Sequence, residues 1–327
     1  MPGLVGAALL SAAGLAACTS STSTRSRITR LSIATGGTGG VYYVYGGALA
    51  RLISESVPGV EATAEVTSAS IDNLKFLRDS KADIAFTLAD TLKDASEGQG
   101  AFEGRPIELR ALAVLYTNVT HVVTKKNSGI TKLTDLKGRV VSMGSAGSGT
   151  ETIADRTLTA AGLDPSKIIR ENLSAQASAD ALKDGKIDAF FWSGGLPTAA
   201  VLDLAISARI SILETESVLA KLQTQYGEAL YRPISIPATT YASVETEVHT
   251  FGVSNVLVVS ANFDEQRAYL IVKTMFDGKA ALAATHAEAR NLSLQTAVTG
   301  SPVAFSAGAL KYYREQGVEP PAPPAKP

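Results

Sequence analysis

The 327-residue sequence has one cysteine, Cys18. No disulfide can form within the chain, so stability must come from a full-sized apolar core. Histidine is nearly as scarce: His121, His249 and His286 lie far apart, without the spacing of a metal site. An excess of either charge is missing too, since 30 Lys and Arg face 31 Asp and Glu. The two signs are interspersed, which removes the basic face that nucleic acid would require. Past the first residues, no apolar run reaches the length of a membrane span. Catalytic signatures are equally thin. Ser148 lacks a Gly-x-Ser-x-Gly frame, and the carboxylates of Asp72, Asp83 and Asp188 suggest no acid–base pair. The expectation is a protein that is not an enzyme, with no cofactor and no metal.

What is present begins at the first residues. Residues 3–17 are an uncharged run of small and apolar side chains ending in Leu15-Ala16-Ala17-Cys18. A short apolar segment closed by small residues reads as an export signal. Leu-Ala-Ala-Cys also matches the lipobox, so residues 1–18 are expected to be a lipoprotein signal peptide with Cys18 as the lipidated residue. The protein would then be exported to the periplasm or cell surface and held at the membrane by lipid alone. The first basic residue is Arg25, so the usual basic leader is lacking, as expected if translation starts upstream of Met1. Residues 19–27, rich in Ser and Thr, read as a flexible tether, and residues 318–327 as a Pro-rich disordered tail. Roughly 290 residues remain between, enough for about two domains.

Short β-rich runs alternate with helical patterns through that region, which predicts an open α/β sheet. A strand at 31–34, a Gly-rich loop at 35–40 and a helix at 41–56 open it. Then come a strand at 61–67, a helix at 70–79 capped by Ser70, a strand at 83–88 and a strand at 109–116. A second unit starts near His121, with strands at 121–124 and 139–143, a Gly/Ser loop at 144–150 and a helix at 151–161. A strand at 168–172, a helix at 178–184 and a strand at 189–192 follow. The halves echo each other, so two α/β lobes should leave a cleft at their loop ends, where such folds bind ligands.

Thr35-Gly-Gly-Thr-Gly-Gly40 and Gly144-Ser-Ala-Gly-Ser-Gly-Thr150 occupy equivalent strand-to-helix positions. Glycines let the backbone approach a ligand and turn N–H groups inward. The helix N-terminus beyond adds partial positive charge, suited to a carboxylate or phosphate. Neither loop continues into Gly-Lys-Ser/Thr, which excludes a P-loop. The second has its glycines misplaced for a dinucleotide fingerprint. Tyr42 or Tyr43, at the start of the first helix, and Trp192, at a strand end before Ser193-Gly194-Gly195, could place rings near a ligand.

The series Ile33-Ala-Thr-Gly-Gly-Thr-Gly-Gly-Val-Tyr-Tyr43 with Gly46-Gly47-Ala-Leu-Ala50 resembles the first motif of the TAXI family, the solute receptors of TRAP transporters. Further matches follow in order: Asn73-Leu74, Ala82-Asp-Ile-Ala-Phe86, Asp135-Leu-Lys-Gly138, residues 144–151, Ala181-Leu-Lys-Asp-Gly-Lys-Ile-Asp-Ala-Phe-Phe191 and Tyr312-Tyr-Arg-Glu315. The resemblance spans residues 28–317. It implies a type II periplasmic-binding-protein fold, with lobe 1 at 28–118 plus 244–317 and lobe 2 at 119–243. It also implies a monomer that closes around a small organic anion or amino acid, glutamate-like, and delivers it to a TRAP permease. Carried over by position, Thr38, Gly39, Gly40, Tyr43, Ser70 and Asn73 would meet the ligand from one lobe. Ser145, Ser148, Gly149, Thr150 and Trp192 would face them. A sensor of the same fold acting on a membrane signalling partner, and an exported enzyme, are the alternative readings.

Overall fold

The computed structural model describes Gly3 and residues 28–322. The expected signal peptide, apart from Gly3, with Cys18, the tether at 19–27 and the end of the tail at 323–327 lie outside the described residues. In the first lobe β1 (Thr29–Ala34) pairs in parallel with β2 (Val60–Glu65) and β3 (Ile84–Leu88). All five residues of β3 are buried, as a strand covered on both faces requires. The connections are α1 (Val41–Ser56) and α2 (Ser70–Arg78), and α3 (Ala89–Glu97) leaves β3 directly.

The chain then enters β4 (Leu109–Lys125), 17 residues long. Here the structure corrects the sequence reading, which placed two strands at 109–116 and 121–124. The intervening Thr117, Asn118 and Thr120 look like a connection because they are polar. Asn118 is nevertheless buried, donating from Nδ2 to the Ser193 carbonyl at 3.0 Å and accepting at Oδ1 from Asn255 Nδ2 at 2.9 Å. Those two bonds satisfy it inside the protein, and the strand runs through.

The second lobe repeats the scheme with β5 (Val140–Ser142), α4 (Gly149–Ala160), β6 (Ile169–Glu171), α5 (Ala175–Asp184) and β7 (Ala189–Gly194). After α6 (Ala199–Ser207), the short β8 (Ile210–Ile212) pairs with the end of β4. Two elements that the sequence reading did not anticipate come next, α7 (Glu216–Tyr226) and β9 (Arg232–Ile236). The chain returns through β10 (Val248–Ser260), antiparallel to β3, β4 and β9. It finishes with α8 (Glu265–Asp277), α9 (Lys279–Thr285), α10 (Leu294–Ala297) and α11 (Ala307–Glu315), of which α8 and α9 pack on α1.

The strand order shows the internal repeat. Around the first lobe it is β2-β1-β3-β10-β4, and around the second β6-β5-β7-β4-β8. Each lobe is thus a three-stranded parallel sheet bordered by antiparallel strands. Both β4 and β10 are long because they pass from one lobe into the other. At about 3.3 Å per residue, β4 extends roughly 55 Å. The register of β10 on β4 shifts between Ser254 and Val256, a bulge that bends a strand locally. One large apolar cluster is built on residues such as Ile33, Leu49, Phe86, Leu257 and Tyr313. A second, around Val123, Phe190, Val201 and Tyr241, stabilises the far side of the second lobe.

Candidate ligand-binding site

The strand-to-helix turns β1–α1 and β2–α2 face β5–α4 and β6–α5 across a cavity of about 250 Å³. Residues at the N-termini of all four helices line it: Gly40 and Val41 of α1, Ala69 and Ser70 of α2, Ser148 to Thr150 of α4, and Ser174 to Gln176 of α5. Each terminus brings unpaired N–H groups and partial positive charge. Neither α1 nor α2 has a side-chain cap, since Gly40 and Ala69 hold those positions. Among the described residues, no charged side chain lines the cavity.

Of the residues expected at the ligand, Thr38, Gly39, Gly40, Ser70, Ser145, Ser148, Gly149, Thr150 and Trp192 line this cavity. Tyr43 and Asn73 do not. Each helical residue turns about 100° from the last, so Tyr42 points inward where Tyr43 was expected. Asn73 is fully buried beneath the loops instead. Its Nδ2 donates to the carbonyls of Thr35 at 2.6 Å and Phe86 at 2.8 Å, and its Oδ1 accepts from Thr67 Oγ1 at 2.6 Å. It therefore shapes the cavity wall without reaching the interior. Ser70 is not the cap of α2, as expected from sequence, but its first residue. Its Oγ accepts from Leu88 N at 3.1 Å, tying α2 to the end of β3. The cap position, Ala69, has φ +86° and ψ −143°, a conformation costing on the order of 1–3 kcal/mol. Thr67 Oγ1 holds it by accepting from Ala69 N at 3.0 Å.

The lobes touch at the rim through backbone. Ile71 N and Asp72 N, opening α2, donate to the Gly147 carbonyl of the opposite lobe at 3.1 and 3.2 Å. Two glycines permit that approach. Gly147 has φ +78°, and a Cβ there would stand 2.6 Å from Asp72 Oδ1; one on Gly149 would stand 2.5 Å from Leu88 Cδ1. Ser148 caps α4 by accepting from Glu151 N at 3.2 Å, while Glu151 Oε2 accepts from Gly147 N at 2.9 Å.

Of the deeper residues, Tyr116, Asn118 and Asn255 escaped the sequence reading. Tyr42 Oη donates to Asn255 Oδ1, which continues the Asn255–Asn118–Ser193 chain between lobes. Tyr116 and Ser193 line the cavity with other atoms, while Tyr116 Oη and Ser193 Oγ are themselves buried and have no hydrogen-bond partner among the described residues. Burial pushes the Tyr42 and Tyr116 phenols far above their ordinary pKa, so both stay protonated and able to donate. Trp192 is held from behind. Its Nε1 donates to Thr198 Oγ1 at 2.9 Å, Thr198 N donates to Tyr241 Oη at 3.1 Å, and that hydroxyl meets His121 Nε2 at 2.9 Å. His121 Nδ1 contacts the Val119 carbonyl at 2.9 Å, so Nδ1 carries the proton and Nε2 accepts. Burial pulls the His121 pKa from 6.5 to about 4, which keeps the ring neutral.

A second contact between lobes lies outside the cavity. Arg156 of α4 donates from Nη2 to both Asp94 oxygens at 2.7 and 2.6 Å. Its Nη1 reaches Tyr231 Oη at 2.9 Å and Asp90 Oδ2 at 3.4 Å, and its guanidinium lies 4.0 Å from the Tyr226 ring centroid. Tyr231 Oη in turn donates to Asp90 Oδ2 at 2.9 Å.

A sequence profile of the NMT1-like family matches residues 33–317, so the chain belongs to that family. Among solved structures, a protein of Bordetella bronchiseptica RB50 is similar at 18% identity and TM-score 0.54, covering 88% of this chain and 89% of that one. An ATP-bound protein of Xanthomonas citri matches at 11% identity and TM-score 0.52, covering 88% and 94%. The periplasmic aliphatic sulphonate binding protein SsuA of Escherichia coli aligns at 17% identity and TM-score 0.49, over 88% and 82%. The fold is the expected mixed α/β arrangement of two lobes, with the repeated strand order of a type II periplasmic binding protein.

Proposed function

We propose that this member of the NMT1-like family is an extracytoplasmic solute-binding receptor that closes around a small carboxylate or amino acid. The observation carrying this reading is the cavity between the lobes, lined by helix N-terminal residues from both of them. A ligand bridging the lobes is favoured only when both sets of donors reach it, so binding and closure are coupled. The hinge would divide residues 28–118 and 244–317 from residues 119–243, with β4 and β10 flexing where they cross. No covalent step is involved.

The narrower assignment, a TAXI receptor handing its solute to a TRAP permease, is supported by the ordered motifs from Ile33 to Glu315. Export and anchoring through lipidated Cys18 are supported by the Leu-Ala-Ala-Cys sequence. Thermal denaturation with a panel of small carboxylates and amino acids tests the binding role. A ligand present at 100 times its Kd should add about 2.7 kcal/mol of stability, a shift of several degrees. An unchanged midpoint across the whole panel contradicts the proposal. For the transport assignment, co-purification of the solute-loaded chain with the TRAP membrane subunit is expected, and its absence counts against that partner.

A further inference from the structure

Behind the crossing strands lies a second cavity, of about 540 Å³, that solute capture between the lobes does not use. The faces of β10 and β4 place it. Ser254 and Asn255 are neighbours in β10 and point to opposite sides. Asn255 bonds to Tyr42 and Asn118 on the side of the ligand-binding cavity, whereas Ser254 and Thr117 line the second one. Only Tyr116 is common to the two linings. The walls again come from both lobes. From the second lobe, β9 brings Arg232 and the turn after β7 brings Leu196. From the first come Glu288 and Asn291 of the 3₁₀ turn Ala287–Asn291, and Gln295 of α10.

Arg232 and Glu288 are the two charged residues of this lining, and among the described residues neither forms a salt bridge. Glu288 is buried. Its Oε1 accepts from Leu196 N at 2.9 Å and its Oε2 from Asn291 Nδ2 at 2.7 Å. Both donors are neutral, so the charge of a buried carboxylate stays uncompensated, which is costly. A carboxylate offers about four acceptor positions, so both oxygens can take a further donor. Arg232 reaches across from the second lobe to the first. A Cβ on Gly300, where φ is +86°, would stand 3.2 Å from Arg232 Nη2. The guanidinium finds no acceptor there, and among the described residues Asn291 Oδ1 and the Gln295 side chain are also without partners.

We infer that this rear cavity is a second binding site, for a small zwitterion whose ammonium pairs with Glu288 and whose carboxylate pairs with Arg232. A lone anion would be repelled by the buried Glu288 charge, and a lone cation would leave Arg232 unpaired. An α- or ω-amino acid compensates both. Asn291 Oδ1 accepts from the ammonium, Gln295 donates to the carboxylate, and Val114, Val119 and Leu196 cover the carbon chain. The volume corresponds to roughly eighteen waters at about 30 Å³ each, ample for such a molecule. Because its two charged partners belong to different lobes, a bound zwitterion favours the arrangement in which they share the cavity. That influence on solute capture rests on the receptor reading; the site itself does not.

Isothermal titration of the full chain with glycine, β-alanine, 4-aminobutyrate and 6-aminohexanoate, which separate the two charges progressively, tests it. At least one should bind. Arg232→Gln and Glu288→Gln should each weaken that one about 10- to 100-fold, the scale of a charged hydrogen bond. Arg232 is exposed and unpaired, so Arg232→Gln should keep the wild-type melting point. In Glu288→Gln the side-chain oxygen can still accept from Leu196 N. No binding across the series overturns the inference. So does binding that either variant leaves unchanged, which places the zwitterion elsewhere. Both outcomes leave the receptor reading standing, because that reading depends on the thermal response to the wider panel of carboxylates and amino acids.

Discussion

The two lobes meet in two chemically opposite ways. At the cavity rim the contact is uncharged: backbone N–H groups of α2 meet the Gly147 carbonyl, and Gly149 lies against Leu88. Beside the hinge strands it is ionic, with Arg156 held by Asp90 and Asp94. The Asp90 side chain is fully buried, and those of Arg156 and Asp94 are 11% and 10% exposed. An ion pair this buried strongly resists removal of one partner but contributes little net stability as a whole. A pair of backbone hydrogen bonds to one glycine carbonyl is weak and easily remade. The difference suits a molecule that keeps a fixed pivot and a reversible mouth.

Breaking the ionic contact should have the largest effect. Arg156→Ala leaves two buried carboxylates uncompensated and should cost about 3–5 kcal/mol in denaturant unfolding. Arg156→Lys should recover only part, because an ammonium cannot reproduce the two-pronged contact with Asp94. A loss under 1 kcal/mol would place the pair among contacts that contribute nothing measurable.

Acidity should come next. His121 has a folded pKa of about 4 against 6.5 unfolded, so between those values the unfolded chain binds more protons. Stability is therefore fully present above pH 6.5 and falls as pH drops toward 4, by about 3 kcal/mol from this group. Denaturation curves across that range should show the slope in the wild type and a flatter profile in His121→Gln. Because the folded ring stays neutral down to about pH 4, the Tyr241 and Thr198 contacts that connect it to Trp192 are unchanged over this interval, and ligand affinity of the folded protein should hold steady across it.

The rim should respond least in stability and most in binding. Gly149→Ala puts a methyl against Leu88 and Ser70 only when the lobes are together. It should weaken ligand binding by about 1–3 kcal/mol and leave the melting point of the ligand-free chain within a degree. Calorimetry of the variant checks both values, and an equal loss in each would mean that the lobes are joined at the rim even without ligand.

The paired Gly/Ser loops were legible because both their spacing and their place between a strand and a helix recur in the two halves. Nine residues named from sequence line the cavity as a result. Tyr43 and Asn73 show the limit of reading by position. The range of α1 was read correctly, but which of two adjacent tyrosines faces inward depends on how that helix is rotated against the sheet, and Asn73 serves the carbonyls of Ala34, Thr35 and Phe86, which no local pattern reveals. Tyr116, Asn118 and Asn255 were missed for another reason. They lie in strands that cross between lobes, and their roles arise from pairing across more than 100 residues. The polar stretch at Thr117–Thr120 looked like a loop because its partners are distant in sequence. A β4 strand merged through Asn118 would have pointed to the crossing, and with it to Tyr116 at the cavity floor.

The central claim is that a small carboxylate is captured by closure between the lobes. Small-angle X-ray scattering of the full chain, with and without whichever acid raises its melting point, tests it most directly. The account predicts a smaller radius of gyration with ligand than without. Superimposable curves at zero and saturating ligand would contradict it.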